Sequence, residues 1–138
     1  MNKINYKNDV RISRKLNNFR SEYTILELDF IYSFISIIDK DDVYLRNYSL
    51  SLAELELKMQ RKLEIKKIEY LFDSLAKKAF KIDNEKGIEV YTFFTYLRYD
   101  KVEKILTVDF NYRLKEHLLQ LKDFGTGNFR HPSQLIDN

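Results

Sequence analysis

Two short motifs fix where two helices begin in this chain. Thr24 and Glu27 stand three residues apart, and so do Ser51 and Glu54. In such a capping box the hydroxyl accepts a hydrogen bond from the backbone N–H three residues on, and the glutamate accepts one from the backbone N–H of the capping residue. Apolar residues follow both motifs. The sequence therefore predicts a helix start at each motif, fixed by local chemistry.

Apolar residues predict three helices, and the third opens with positive charge. They recur at helical spacing over about 24–38, 52–59 and 64–80. The third segment carries Lys66 and Lys67 at its front, although the N-terminal end of a helix dipole favours negative charge. A bound phosphate would reverse this small cost, because the helix end then offers both backbone N–H groups and cations.

Further basic residues surround the front of the third predicted helix. Residues 58–67 hold five lysines and arginines against Glu64 alone. For a lone pair of lysines, a solvated helix surface would be the simpler interpretation. The additional charges favour an anionic partner, although the net charge of the whole chain is only +3.

Two strands are expected after Gly87, where the spacing of apolar residues changes from a period of about 3.6 to about 2. They cover 89–99 and 104–110 and meet at 100–103. The second alternates cleanly, so one of its faces should be core and the other largely wet. The first carries apolar residues on both faces. Its second face must therefore meet a helix of the same chain, a second copy of the chain or a missing domain.

The order of these parts predicts an α+β fold of the winged-helix type, with a helix-turn-helix core and a β-hairpin wing. A brief strand over about 43–49 precedes the second capping box. A last helix is expected to begin at Asn111, a good capping residue. We expect a flexible basic N-terminal segment over 1–20, the winged-helix domain over 21–124 and a loose C-terminal tail over 125–138.

The composition is that of one globular domain. The 138 residues are 44% hydrophobic and 33% charged, which is enough for a single core. The sequence contains no cysteine, so disulfides, thiolate metal sites and a cysteine nucleophile are excluded. No apolar run is long enough to span a membrane, and no leader is visible. We expect a cytoplasmic protein with no membrane partner.

Nothing in the sequence favours an enzyme. The two histidines, His117 and His131, have no evident nucleophile or acid beside them. The acids Asp39, Asp41 and Asp42 lack the glycine and the bidentate glutamate of a calcium loop, so a solvated turn is the simpler interpretation. A nuclease that uses only carboxylates stays open, but no spaced acidic pair suggests one. We expect no catalytic residue, no metal site and no cofactor.

Several short segments follow one another in a fixed order along residues 20–129. They are Thr24-x-x-Glu27, the runs 48–55, 72–75 and 92–97, Leu106-Thr-Val108, and Leu118-Leu119 followed by the run 126–129. Together they resemble the first winged-helix domain of Rep-type initiators of theta-replicating bacterial plasmids. Each segment is generic, and the resemblance lies in their order and spacing.

The resemblance implies a division of labour between two domains. Family members typically carry two winged-helix domains, bind repeated origin sequences and open the adjacent duplex for helicase loading. The second domain makes much of the base-specific contact, and the first contributes phosphate contacts and the dimer surface. This chain matches only the first. The implied partners are double-stranded origin DNA, a second copy of the chain as a homodimer, and host replication proteins.

The resemblance also assigns the basic and aromatic side chains. The third helix and the turn before it fall where DNA contacts would lie, and the aromatic strand falls where the dimer surface would lie. The expected DNA-binding residues are Lys58, Arg61, Lys62, Lys66, Lys67 and Tyr70. The expected dimer surface is Tyr91, Phe93, Phe94, Tyr96 and Tyr99.

Two other functions stay open on the sequence. A small winged-helix transcription regulator would read an operator as a dimer. A protein-interaction domain would use the aromatic strand to bind a partner or itself and would touch DNA little. An initiator domain that binds mainly through phosphates should instead lose affinity steeply as salt is added.

Overall fold

The computed structural model describes residues 22–39, 45, 47–115 and 118. The predicted segment over 1–20 and the predicted tail over 125–138 lie outside the described residues. So do both histidines and two of the three clustered acids, Asp41 and Asp42.

Within these residues the chain forms three helices, five strands and a short 3-10 helix. Their order is α1 (Ile25–Ile35), β1 (Asn47–Ser51), α2 (Leu52–Met59), α3 (Ile65–Lys77), β2 (Phe80–Asn84), β3 (Gly87–Tyr91), β4 (Phe94–Asp100), β5 (Ile105–Phe110) and the 3-10 helix (Tyr112–Leu114). Strands β1, β5 and β4 form an antiparallel sheet in that order, and β2 pairs with β3 in a separate two-stranded sheet. The predicted α+β class is confirmed.

Both capping boxes are present as the sequence predicts. The hydroxyl of Thr24 accepts from the N–H of Glu27 at 3.2 Å, and Glu27 Oε1 accepts from the N–H of Thr24 at 2.8 Å. Ser51 and Glu54 exchange the same two bonds at 3.0 and 2.9 Å. A cap of this kind typically stabilises a helix start by about 1 kcal/mol. The starts of α1 and α2 are therefore set locally.

Helix α1 is the centre of the core rather than a helix with one buried face. All nine residues from Glu27 to Ile35 are buried. Its Phe30 ring contacts Phe72 of α3 and Phe94 of β4 at centroid distances of 6.2 and 5.8 Å. A helix covered on every side must bury its polar groups too, and these then need partners.

The region between α3 and β4 departs from the sequence prediction. Helix α3 ends at Lys77 because Lys78 is extended, and β2 follows where the helix was expected to continue. The strand predicted over 89–99 is two strands, β3 and β4, which belong to different sheets. The wing predicted from 89 to 110 is therefore the β4–β5 hairpin, and an additional hairpin, β2–β3, precedes it.

A register shift in β4 decides which aromatic side chains face the core. The pairing of β4 with β5 is irregular between Phe94 and Tyr96, so Thr95 is an extra residue there. An extra residue turns the following side chains to the opposite face. Phe94 and Leu97 thus share the inner face, while Tyr96 lies opposite Asp109 on the outer face.

Three of the five residues predicted for a dimer surface belong to the core instead. Tyr91, Phe93 and Phe94 are only 9%, 1% and 6% exposed. Their rings pack against neighbouring rings of the same chain, such as Phe93 against Phe80 at 5.4 Å. The prediction for these three residues is wrong, because packing within the chain already covers their rings.

Candidate nucleic-acid interface

A tight turn joins α2 to α3 and sets the direction of α3. Gln60 ends α2 in the left-handed conformation, with φ of 56°. The N–H of Arg61 donates to the carbonyl of Glu56 at 3.2 Å, and the N–H of Leu63 donates to the Glu56 carboxylate at 2.8 Å. Leu63 is buried. The turn is therefore stabilised by two contacts: the hydrogen bond to the Glu56 carboxylate and the burial of the Leu63 side chain.

An ion pair between Arg61 of this turn and Asp29 of α1 connects the turn to the core. The guanidinium of Arg61 donates to Oδ2 of Asp29 at 2.7 Å, and the Asp29 side chain is 9% exposed. Burial raises the pKa of Asp29 above its ordinary value, and Arg61 offsets only part of that effect. Arg61 was predicted to contact DNA. Its side chain is still 40% exposed, but its bond to a buried carboxylate gives it a positioning role.

Sequence reasoning missed Asp29 and Glu56 as the residues that position this turn. The available signal was a charged residue among apolar neighbours, since buried acids are rare without a partner. Asp29 lies within the stretch Leu28 to Ile35, whose apolar periodicity predicts only a buried helix. Nothing in the sequence identified Arg61 as that partner.

The front of α3 presents its cations to solvent. Lys66 and Lys67 are exposed, and Tyr70, which follows them by one helical turn, is 52% exposed. Glu64 begins the helix without a side-chain cap, so its side chain accepts no hydrogen bond from the first N–H groups of α3. The N–H of Lys67 donates to the backbone carbonyl of Glu64 at 2.9 Å, which leaves the N–H groups of Ile65 and Lys66 as those that point out of the helix start. In the described part of the chain neither lysine forms an ion pair.

The two remaining basic candidates differ in their environment. Lys62 is 90% exposed and lies 3.8 Å from Glu56, a distance at which an exposed pair contributes little. Lys58 lies in the last turn of α2, where a cation suits the helix dipole. Hydrogen bonds with the backbone and side chain of Ser51 lower the pKa of Glu54, and the charge of Lys58 adds to this effect. Lys62 is therefore the more available of the two.

Only part of the predicted aromatic surface stays on the outside. Tyr96 is 45% exposed, and Tyr99 is half-buried against the core. Tyr96 lines an open groove of about 520 Å³ between α3 and β4, together with Phe72 and Leu97. The structure thus separates the candidates into a cationic end of α3 and an aromatic area on β4 that consists of Tyr96 and part of Tyr99.

The arrangement described above defines a winged-helix domain: a first helix and strand, two helices joined by a tight turn, and an antiparallel hairpin that returns beside the first strand. The family model for the WH1 domain of initiator replication proteins matches residues 9–135. The chain therefore belongs to this family of replication initiators. The resemblance to Rep-type initiators and the predicted winged-helix fold are confirmed, and membership supports a role in plasmid replication initiation.

A solved structure shows the same fold at low sequence identity. The chain is similar to the WH1 domain of MSBI1.176, a replication protein isolated from a multiple sclerosis patient. The TM-score is 0.52 at 11% identity, over 85% of this chain and 97% of that chain. A search of curated proteins found no match. Among the described helices, none has the length and apolar character needed to cross a membrane.

Proposed function

We propose that this chain binds double-stranded origin DNA through the front of α3 and associates with a second copy of itself. The observation that carries the DNA-binding part is the pair Lys66 and Lys67 at an uncapped helix start, exposed and without an ion-pair partner in the described residues. Backbone N–H groups and two ammonium groups at one helix end suit a phosphate. Lys62 and Tyr70 extend this surface on either side.

Phosphate contacts supply most of the affinity in this proposal. The candidate side chains are mainly lysines, which act as point charges and carry no fixed hydrogen-bonding geometry for base edges. Arg61, the residue best suited to bidentate base contact, is already bonded to Asp29. We therefore propose that this domain positions DNA and contributes little to reading its sequence.

The decisive experiment reverses the two lysine charges. Lys66→Glu with Lys67→Glu should abolish retardation of origin DNA while the protein stays folded. The matched control, Lys77→Glu with Lys115→Glu, makes the same change in net charge at two exposed lysines outside the front of α3 and should retain binding. Each lost phosphate contact should also lower the slope of log affinity against log salt by about 0.9. Normal retardation by the first double variant would contradict the proposal.

The finer parts of the proposal concern partners and chemistry. We propose that the duplex is the repeat array of a plasmid origin and not an operator, that host replication proteins are further partners, and that the chain works in the cytoplasm. We also propose that it acts by binding without catalysis or cofactor. In support, the buried carboxylates Glu27 and Asp29 both hold structural bonds, so neither is available as a catalytic acid or base.

A further inference from the structure

The β2–β3 hairpin has one face in the core and one face in solvent. Phe80 and Ile82 on β2 are buried, while Lys81 and Asp83, which alternate with them, are exposed. On β3 the two apolar side chains opposite these charges, Ile88 and Val90, are 62% and 65% exposed. The hairpin belongs to no larger sheet among the described residues.

The register of the hairpin shows which backbone N–H and C=O groups of β2 point away from β3. A two-residue turn joins Asn84 to Gly87, and the residues that flank such a turn form a hydrogen-bonded pair. Bonded pairs alternate with non-bonded pairs along antiparallel strands. Lys81 and Asp83 therefore direct their N–H and C=O groups away from β3. In the described part of the chain no other backbone group bonds to them.

Pairing of β2 with β2 of a second copy, about a two-fold axis at Ile82, would give the outward backbone groups hydrogen-bond partners and would place opposite charges across from each other. If β2 pairs antiparallel with β2 of a second copy and the axis passes Ile82, Lys81 of each copy lies opposite Asp83 of the other. These are the residues whose backbone groups point outward, so they become the hydrogen-bonded pairs. A lysine on an edge strand normally opposes strand pairing, but here an opposite charge faces it.

The other edge of the hairpin does not share this complementarity. The same construction on β3 places the axis at Glu89 and sets the two Glu89 carboxylates opposite each other. Like charges directly opposite in a sheet are destabilising. The β2 edge is therefore the self-complementary one.

We propose that β2 pairs with β2 of a second copy of this chain, with Lys81 facing Asp83 of the other copy on both sides of the axis. A two-stranded hairpin is marginal by itself, and this pairing makes a four-stranded sheet. The exposed side chains of Ile88 and Val90 then lie on one face of a four-stranded sheet and not on an isolated hairpin. The inference deepens the self-association part of the proposed function and is independent of its DNA-binding part.

The test is a charge exchange measured by sedimentation equilibrium of the full chain without DNA. Lys81→Glu sets acid against acid at both pairs, and Asp83→Lys sets lysine against lysine. Each variant alone should raise the dimer Kd by about tenfold or more, because two attractive cross-strand pairs become repulsive. An equimolar mixture of the two should return to the parent Kd, since in the mixed dimer each position 81 faces an opposite charge at position 83.

The controls separate this surface from general charge effects and from the aromatic strand. Lys101→Glu and Glu103→Lys make the same charge changes at the exposed tip of the β4–β5 hairpin and should leave the Kd unchanged. Circular dichroism checks that each variant is folded. A parent chain that stays monomeric, single variants that associate like the parent, or a mixture that fails to recover would each overturn the inference. If only Tyr96→Ala dissociates the dimer, the inference fails while self-association itself survives.

Discussion

Glu27 serves as a helix cap and also joins two distant elements. It is fully buried, and its carboxylate accepts from the N–H of Thr24, from Nζ of Lys78 at 2.6 Å and from the hydroxyl of Ser74. Burial raises its pKa, but the hydrogen bonds from Lys78, Ser74 and Thr24 outweigh burial and lower the pKa below its ordinary value. One carboxylate thereby connects the start of α1 to the end of α3.

This lowered pKa predicts how stability depends on pH. An acid with a depressed folded pKa stabilises the fold at neutral pH, and that contribution is lost as the pH falls through the ordinary value of 4.5 toward the folded one. Glu27→Gln should lower the free energy of unfolding at neutral pH by roughly 2 kcal/mol, as expected for a hydrogen bond to a charged group. It should also flatten the acid limb of stability against pH, measured by urea unfolding.

The control for this measurement is Glu69→Gln, at an exposed position of α3. It should leave both the stability and its pH dependence close to those of the parent. An acid limb as steep in Glu27→Gln as in the parent would show that Glu27 is not the titrating group.

At the level of elements, the junction of α2 and α3 depends on one strained residue. Gln60 adopts φ of 56° and ψ of 42°, a conformation that costs a residue with a Cβ roughly 1–2 kcal/mol and costs glycine almost nothing. Gln60→Gly should raise the free energy of unfolding by about 0.5–1 kcal/mol, the remainder being offset by the greater freedom of glycine in the unfolded chain. The urea midpoint should rise with an unchanged slope.

Gln60→Ala is the matched control, because it removes the side chain and keeps the Cβ. It should bring no gain in stability. Equal stabilisation by both variants would place the effect in the side chain and not in the backbone conformation. DNA affinity should be unchanged in both, since neither change adds or removes a charge.

Elements with local signals were predictable from the sequence, and elements that depend on register were not. The capping boxes need only residues within one helical turn, so α1 and α2 could be placed at their starts. Strand β2 has only Phe80 and Ile82 as alternating apolar residues, too few to distinguish a strand from the last turn of α3. The irregularity at Thr95 leaves no mark in the sequence, yet it decides whether Phe94 faces the core.

In the candidate site too, some residues could be predicted from the sequence and others could not. The exposed lysines of α3 follow directly from helical periodicity, because the buried stripe of Ile68, Leu71 and Leu75 leaves them on the opposite face. The bond between Arg61 and Asp29 joins residues 32 positions apart in sequence. Only the packing of α1 against the turn brings them together, so a cation predicted to contact DNA is also a structural one.

At the scale of the whole molecule, self-association and DNA binding should reinforce each other. One copy offers a single α3 front, whereas a dimer offers two. If both reach the same duplex, the dimer neutralises about twice as many phosphates, and the slope of log affinity against log salt should be about twice that of a monomer. The measurement is fluorescence anisotropy of a labelled origin duplex over a series of salt concentrations.

The charge variants of β2 separate this coupling from the direct effect of charge on DNA binding. Lys81→Glu makes the chain more negative and Asp83→Lys makes it more positive, so a local electrostatic effect would move their affinities in opposite directions. Loss of the dimer instead predicts that both slopes fall to about half of the parent slope. Their equimolar mixture should recover the parent slope. Opposite shifts in affinity with unchanged slopes would show that DNA binding does not depend on pairing through β2.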